Sequence, residues 1–190
     1  MGNLWVGGEH GSAPTGNGPY REDGEPKRGV KMREESVELV PLPHTYTPST
    51  HFKAENLHIK SGGRGIIMVG ADNVVRNNVI EVDSKVAVYL YGPRPIIEGN
   101  TFIVRLSEKD TTTLPAILKL RDADGAIIRN NKFIVKPDVL PWKTPGKAEA
   151  AINLLTSKNV LIENNTVMDT RQLLRKDEAS TAEERGNVLQ

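Results

Sequence analysis

One ten-residue unit recurs along this chain, and a recurring unit too short to fold alone leaves few architectures open. Its clearest copy is Asn159-Val160-Leu161-Ile162-Glu163-Asn164-Asn165-Thr166-Val167-Met168: a hydrophobic pair, a polar residue, Asn-Asn, then another hydrophobic pair. Related stretches are Asn56-Leu57-His58-Ile59-Lys60-Ser61-Gly62, Asn73-Val74-Val75-Arg76-Asn77-Asn78-Val79-Ile80, Pro95-Ile96-Ile97-Glu98-Gly99-Asn100-Thr101-Phe102-Ile103, and Gly125-Ala126-Ile127-Ile128-Arg129-Asn130-Asn131-Lys132-Phe133-Ile134. With Gly62, Asn78, Asn100, Asn131 and Asn165 as anchors, the copies stand 16, 22, 31 and 34 residues apart. A period that lengthens while its unit persists indicates a repeat of about 20 residues that takes insertions at one loop.

A second short strand precedes each later unit, at Gly65 to Val69, Val86 to Tyr91, Ala116 to Leu120 and Ala151 to Leu155. Strands this short cannot bury a face alone, whereas copies stacked in parallel about 4.8 Å apart can. The turn asparagines then form a column in which each amide bonds to the next, which satisfies side-chain groups that would otherwise be buried unpaired. No amphipathic helix separates the strands, and sandwiches do not repeat one turn residue, so ordinary α/β and sandwich architectures fit less well.

On these units the chain resembles the right-handed parallel β-helix, pectin-lyase-like family, which includes polysaccharide lyases, glycosidases, phage tailspikes and other virion proteins. The resemblance covers about residues 52–169. It implies an all-β protein, a right-handed parallel β-helix of about five rungs, with Asn159–Met168 as the last. A fold shared by so many activities does not by itself imply one of them.

The flanks differ. Residues 1–30 hold eight glycines with Pro14, Pro19 and Pro26 and follow neither helical nor strand period, as an extended arm would. Trp5 and Tyr20 are the side chains able to anchor it, on a partner subunit or on its own domain, because aromatics supply the most buried area per ordered residue. Val37 and Leu39 alternate with Glu38 ahead of Pro41 and Pro43, a lead-in strand. After Met168, Thr170-Arg171-Gln172-Leu173-Leu174-Arg175-Lys176 has the pattern of a short helix capped by Thr170, suited to cover the last rung's unpaired edges. Ser180 and Glu183 form a capping box for a further turn ending at Gly186, and Asn187 to Gln190 are a tail. The expected division is therefore an arm with a lead-in strand over 1–50, the β-helix over 51–169, and a capping helix and tail over 170–190.

Composition excludes several function classes. Twenty-five Lys and Arg against 24 Asp and Glu leave no general attraction for nucleic acid or an anionic membrane. With no cysteine, a disulfide framework, a thiolate metal site and a cysteine nucleophile are all excluded. No signal peptide follows Met1, no run of about 18 apolar residues could cross a membrane, and Val6 stands where a myristoylation site needs Ser or Thr. His44, His51 and His58 recur every seven residues, a spacing that fits no helix-face pair and brings no acidic ligand, so they are expected at the surface or in turns. Gly62-Gly63-Arg64-Gly65 lacks the following helix of a phosphate loop. Asn164-Asn165-Thr166 matches a glycosylation acceptor only formally, because its asparagine belongs to the column.

Alternation in the strand before each unit places Val86, Val88 and Leu90 inward with Ala87, Tyr89 and Tyr91 outward. Leu118 and Leu120 point in and Lys119 and Arg121 out; Ile152 and Leu154 point in and Asn153 out. The outer face thus carries Tyr89, Tyr91, Lys119, Arg121 and Asn153, with Asp122 and Asp124 in the following turn. Aromatics beside long polar donors suit sugar rings and suit a subunit interface equally, with the interface ranked slightly ahead. The insertions at 105–115 and 136–149 both follow the third strand of a rung and should lie side by side on one flank. Trp142, in the second, is the candidate exposed aromatic, although a ring folded back on the coil is the commoner arrangement.

A lyase would need a base beside a uronate carboxylate, commonly with calcium on clustered aspartates. Lys119 or Arg121 with Asp122 and Asp124 is the only local group that could serve, and a polar turn explains it more simply. The paired carboxylates of a hydrolase are not evident. The expected function is therefore noncatalytic, a structural or surface-binding component of a larger assembly. Resemblance points to a phage virion component, a capsid decoration or tail protein, assembled as a homotrimer at a virion or extracellular surface. The alternatives are a polysaccharide lyase or glycoside hydrolase and a carbohydrate-binding module. Neither a cofactor, nor nucleic acid, nor membrane insertion is expected.

Overall fold

A computed structural model describes residues 4–6, 50–107, 113–144 and 146–190, with side chains for all of these except 4–6 and 113. The chain winds coil upon coil, three strands to each. The first coil contains β1 (Leu4–Val6), β2 (Lys53–Glu55) and β3 (His58–Ser61), and the second β4 (Ile66–Val69), β5 (Val74–Arg76) and β6 (Val79–Asp83). Next come β7 (Val88–Tyr91), β8 (Ile96–Glu98) and β9 (Thr101–Leu106), then β10 (Thr113–Arg121), β11 (Ile127–Arg129) and β12 (Lys132–Pro137). The fifth coil is β13 (Lys147–Leu155), β14 (Val160–Glu163) and β15 (Thr166–Met168), and the sixth β16 (Thr170–Lys176), β17 (Ala182–Arg185) and β18 (Val188–Leu189).

Corresponding strands stack into three six-stranded sheets, β1-β4-β7-β10-β13-β16, β2-β5-β8-β11-β14-β17 and β3-β6-β9-β12-β15-β18, here called the first, second and third sheets. Neighbours pair in parallel throughout, as in Leu118↔Ile152, Ile128↔Ile162 and Phe133↔Val167. This is an all-β, right-handed parallel β-helix. Because each coil repeats the one below, the core is a set of columns: Ala54, Val75, Ile97, Ile128 and Ile162 form one, all buried, and Phe102 stacks on Phe133 with ring centroids 4.9 Å apart.

The tight turn between the second and third sheets explains the recurring Asn-Asn and Gly-Asn. The first residue adopts a left-handed conformation, with φ of 54° at Asn77, 66° at Gly99, 57° at Asn130 and 58° at Gly186. Asparagine and glycine tolerate that region best. A Cβ on Gly99 would lie 2.5 Å from Oδ1 of Asn77, so glycine leaves room for the asparagine of the coil below. The second residue, always Asn from Asn78 onward, forms the expected ladder. Asn131 Nδ2 donates to Ile97 O at 2.9 Å and to Asn165 Oδ1 at 3.0 Å, while its own Oδ1 accepts from the backbone N and Nδ2 of Asn100. The same four bonds repeat at Asn100 and Asn165.

Two expectations about the ends are corrected. The ladder position of the first coil is Leu57, whose backbone N donates to Asn78 Oδ1 at 2.9 Å; Gly62 lies beyond the following strand and is no anchor. Asn56, with φ of 57°, corresponds to Asn77, which a sequence alignment starting from a lone asparagine misplaces. At the other end no helix forms among the described residues. Residues 170–176 are a strand paired with β13, Ser180 lies in a turn, Glu183 is on β17, and the tail pairs with β15 through Val188 and Leu189. Asn159–Met168 is therefore the fifth coil of six, and the ladder continues to Asn187, whose Oδ1 accepts from Asn165.

The helical pattern arose because Gln172, Lys176 and Glu184 occupy columns filled below by Ala150, Leu154 and Ile162. These three are exposed, whereas the residues beneath them are buried. Polar residues facing inward are tolerated only where no coil follows, and they discourage further pairing at an open edge.

The last turn is secured by Asp177, which accepts the Ser180 hydroxyl on Oδ1 and the Thr156 backbone N–H at 2.8 Å on Oδ2. The Ser180 hydroxyl bond is the largest influence holding its carboxyl below the usual range, backbone N–H donors add to it, and burial opposes. A depressed folded-state pKa contributes stability above the unfolded value, and that stability is lost as pH falls through the folded one. Urea midpoints of wild type and Asp177→Asn are therefore expected to differ most near neutrality and to converge in acid below about pH 4. In the ladder, Asn131→Ala strands buried partners on both neighbouring coils and is expected to cost about 3 kcal/mol in urea unfolding. Asn130→Gly, at the exposed left-handed position, is expected to change stability by less than about 0.5 kcal/mol.

Candidate functional site

The outward positions of the first sheet come together as the alternation requires. Tyr89, Lys119 and Asn153 stack in one column and Tyr91, Arg121 and Leu155 in the next. Lys119 Nζ lies 5.0 Å from the Tyr89 ring centroid, a cation–π contact. This face is nonetheless covered: Tyr89 is 3% exposed, Asn153 8%, and the adjacent outward Ala87, Ile117 and Ala151 are fully buried. Lys119, Tyr91 and Arg121 are half-buried. An aromatic platform for sugars needs an open ring face, and Tyr89 has none.

Asp122 and Asp124 are engaged in the turns of the next coil. Asp122 Oδ1 accepts the Thr156 hydroxyl, and Asp124 Oδ1 accepts the Lys158 backbone N–H at 2.7 Å. Both bonds pin one turn to the next. Among the described residues no cluster of three or more His, Asp or Glu is placed to hold a metal ion. His51 and His58 are both exposed on the first coil, 3.7 Å from Asp72 and 2.9 Å from Glu81 of the second. His44, Tyr20 and the lead-in strand at 35–40 lie outside the described residues. Trp5 is on β1, opposite Ile67 in the register.

The two insertions adjoin at their bases, where Gly146 N donates to Ser107 O at 2.7 Å and Asp138 N to Leu106 O at 2.8 Å. Trp142 does not fold back: it is 75% exposed, and Leu140 beside it 54%. Two shallow hollows, of about 240 and 320 Å³, lie against the last coil, near Leu173 and Gly186 and near Asn159 and Thr181. They are the open end of the stack rather than an enclosed cleft.

A feature of the second sheet escaped sequence reading. Its outward column two residues before the ladder position reads Glu55, Arg76, Glu98, Arg129, Glu163, Arg185, alternating in sign without a break. Arg76 Nε bonds Glu55 at 3.1 Å and Arg129 Nε bonds Glu98 at 2.9 Å. In a parallel stack a side chain sits beside its own counterparts, so like charges would repel at every step and alternation removes the conflict. The signal was present in Arg-Asn-Asn, Glu-Gly-Asn, Arg-Asn-Asn, Glu-Asn-Asn and Arg-Gly-Asn. It becomes informative once the third residue of each is known to share a column.

If Tyr89 were an open platform, Tyr89→Ala would barely affect folding. As a buried ring its loss is expected to cost about 3 kcal/mol, measured by urea unfolding against Tyr89→Phe.

No curated protein and no solved structure matches the chain. Residues 45–187 match the family described as right handed beta helix region, and the chain belongs to that family.

Proposed function

We propose that this β-helix is a noncatalytic structural component of a larger assembly, which it contacts through the loop between β12 and β13. The observation that carries this reading is the exposure of Leu140 and Trp142 on a loop whose base is hydrogen-bonded to the coil. Large apolar side chains held out from a rigid frame are the usual anchors of a binding surface, because little ordering entropy remains to be lost when they are covered. A phage virion, in which the chain would serve as a decoration or tail protein, is the assembly that best fits a short β-helix with these features. The positions considered for lyase chemistry favour the structural reading over an enzymatic one: Lys119 is packed on Tyr89, and both aspartates brace neighbouring turns.

In the particle fraction of the cells or phage that make the protein, wild type is expected to co-sediment. Leu140→Ser/Trp142→Ser, with unchanged melting temperature, is expected to be reduced at least about tenfold there, the scale of a lost anchor pair. Wild type found wholly in the soluble fraction would overturn the proposal. So would calcium-dependent release of unsaturated uronides that Lys119→Ala abolishes.

A further inference from the structure

The outward face of the second sheet is complementary to itself under one particular rotation. It has two columns. One is the alternating series from Glu55 to Arg185. The other reads Lys53, Val74, Ile96, Ile127, Leu161, Glu183, four half-buried branched aliphatics between a cation and an anion. The six strands place a centre between β8 and β11. A second copy turned through 180° about an axis along the strands at that centre brings the first coil against the sixth, the second against the fifth and the third against the fourth. Each column then faces its own reversed copy.

Every position finds a suitable mate. In the first column Glu55 faces Arg185, Arg76 faces Glu163 and Glu98 faces Arg129. In the second Lys53 faces Glu183, Val74 faces Leu161 and Ile96 faces Ile127. All eight facing charged positions meet opposite charge, and every aliphatic meets an aliphatic. Facing copies with parallel coil axes instead set one column against the other at the same level, so that Val74 meets Arg76 and Ile96 meets Glu98. The third sheet has no such symmetry: its outward column of His58, Val79, Thr101, Lys132, Thr166 and Val188 pairs valine with threonine and threonine with lysine under the same rotation.

Access also favours the second sheet. From the second coil onward the turns on either side of it are short, and both insertions lie between the third and first sheets. We infer that the second sheet is a homotypic interface, occupied by a second copy of this chain with its coil axis antiparallel. Self-complementary surfaces of this kind generate closed two-fold pairs. The face is about 24 Å long and, along three-residue strands, about 10 Å wide. That is well under the roughly 800 Å² per partner of a standard interface, so the pair forms with rising concentration. The inference goes beyond the loop-mediated contact proposed above and does not depend on it.

Because the chain has no cysteine, single introduced cysteines report orientation cleanly. Lys53→Cys and Glu183→Cys change exposed residues and leave folding intact. Mixed as full-length chains and oxidised at high concentration, they are expected to give a disulfide-linked heterodimer, while each alone stays uncoupled because equivalent positions lie about 24 Å apart. In sedimentation equilibrium, Ile127→Lys is expected to weaken the wild-type dimer at least about tenfold, and mixing it with Ile96→Glu to restore pairing, with circular dichroism unchanged. A mixture that gives no heterodimer, coupling as efficient within each single variant, or wild type that sediments as a monomer or a trimer at the highest concentration would each overturn the inference.

Discussion

A buried asparagine amide satisfied on all four of its hydrogen-bonding positions is the interaction on which this structure rests. An amide buried in a turn is costly unless every donor and acceptor is paired, and only another amide one coil away supplies the missing partners. At Asn100, Asn131 and Asn165 the arrangement is complete: one bond to the strand of the coil below, one to the next amide, and two accepted in return. The turn therefore imposes register. Once the amides are aligned, the flanking strands have no freedom to slip, and every other column, from the stacked Phe102 and Phe133 to the alternating charges, is placed by the same constraint.

Register also explains what could be read from the sequence and what could not. The four middle coils were legible because each carries an Asn-Asn or Gly-Asn between aliphatic pairs, which no helix or sandwich would repeat. The two ends departed from the pattern for opposite reasons. In the first coil the ladder residue is Leu57. It still presents a backbone N–H to the amide above, so a leucine can begin a ladder although it could not continue one. In the last coil the backbone pairs normally while Gln172, Lys176 and Glu184 replace core aliphatics. Those substitutions imitate the polar face of an amphipathic helix. Strand pairing along the whole of β13 outweighed that local periodicity, as tertiary context commonly does.

The candidate site shows the same limit. Alternation assigned Tyr89, Lys119 and Asn153 to the outer face of their sheet, and they are adjacent there, but alternation carries no information about whether an outer face is open. It is not: Tyr89 is buried as thoroughly as many core residues. Exposure lies elsewhere, on the loop bearing Leu140 and Trp142 and on the flat face of the second sheet. Loops displayed by a rigid frame are where function is most often carried, and here the loop springs from the fourth and fifth coils, each of which is bonded to two others.

The asparagine ladder has a direction as well as a register. From Asn78 to Asn165 every side-chain amide donates one hydrogen to the asparagine of the next coil toward the C-terminus, and along the ladder each Oδ1 accepts from the N-terminal side. Their dipoles add along the coil axis instead of cancelling, and chains of aligned hydrogen bonds polarise one another. The stack is thus a small electrically polar rod, with donor hydrogens leading at one end and carbonyl oxygens at the other. For any two such rods lying side by side, opposed directions set each dipole against its reverse and leave a pair with no axial moment.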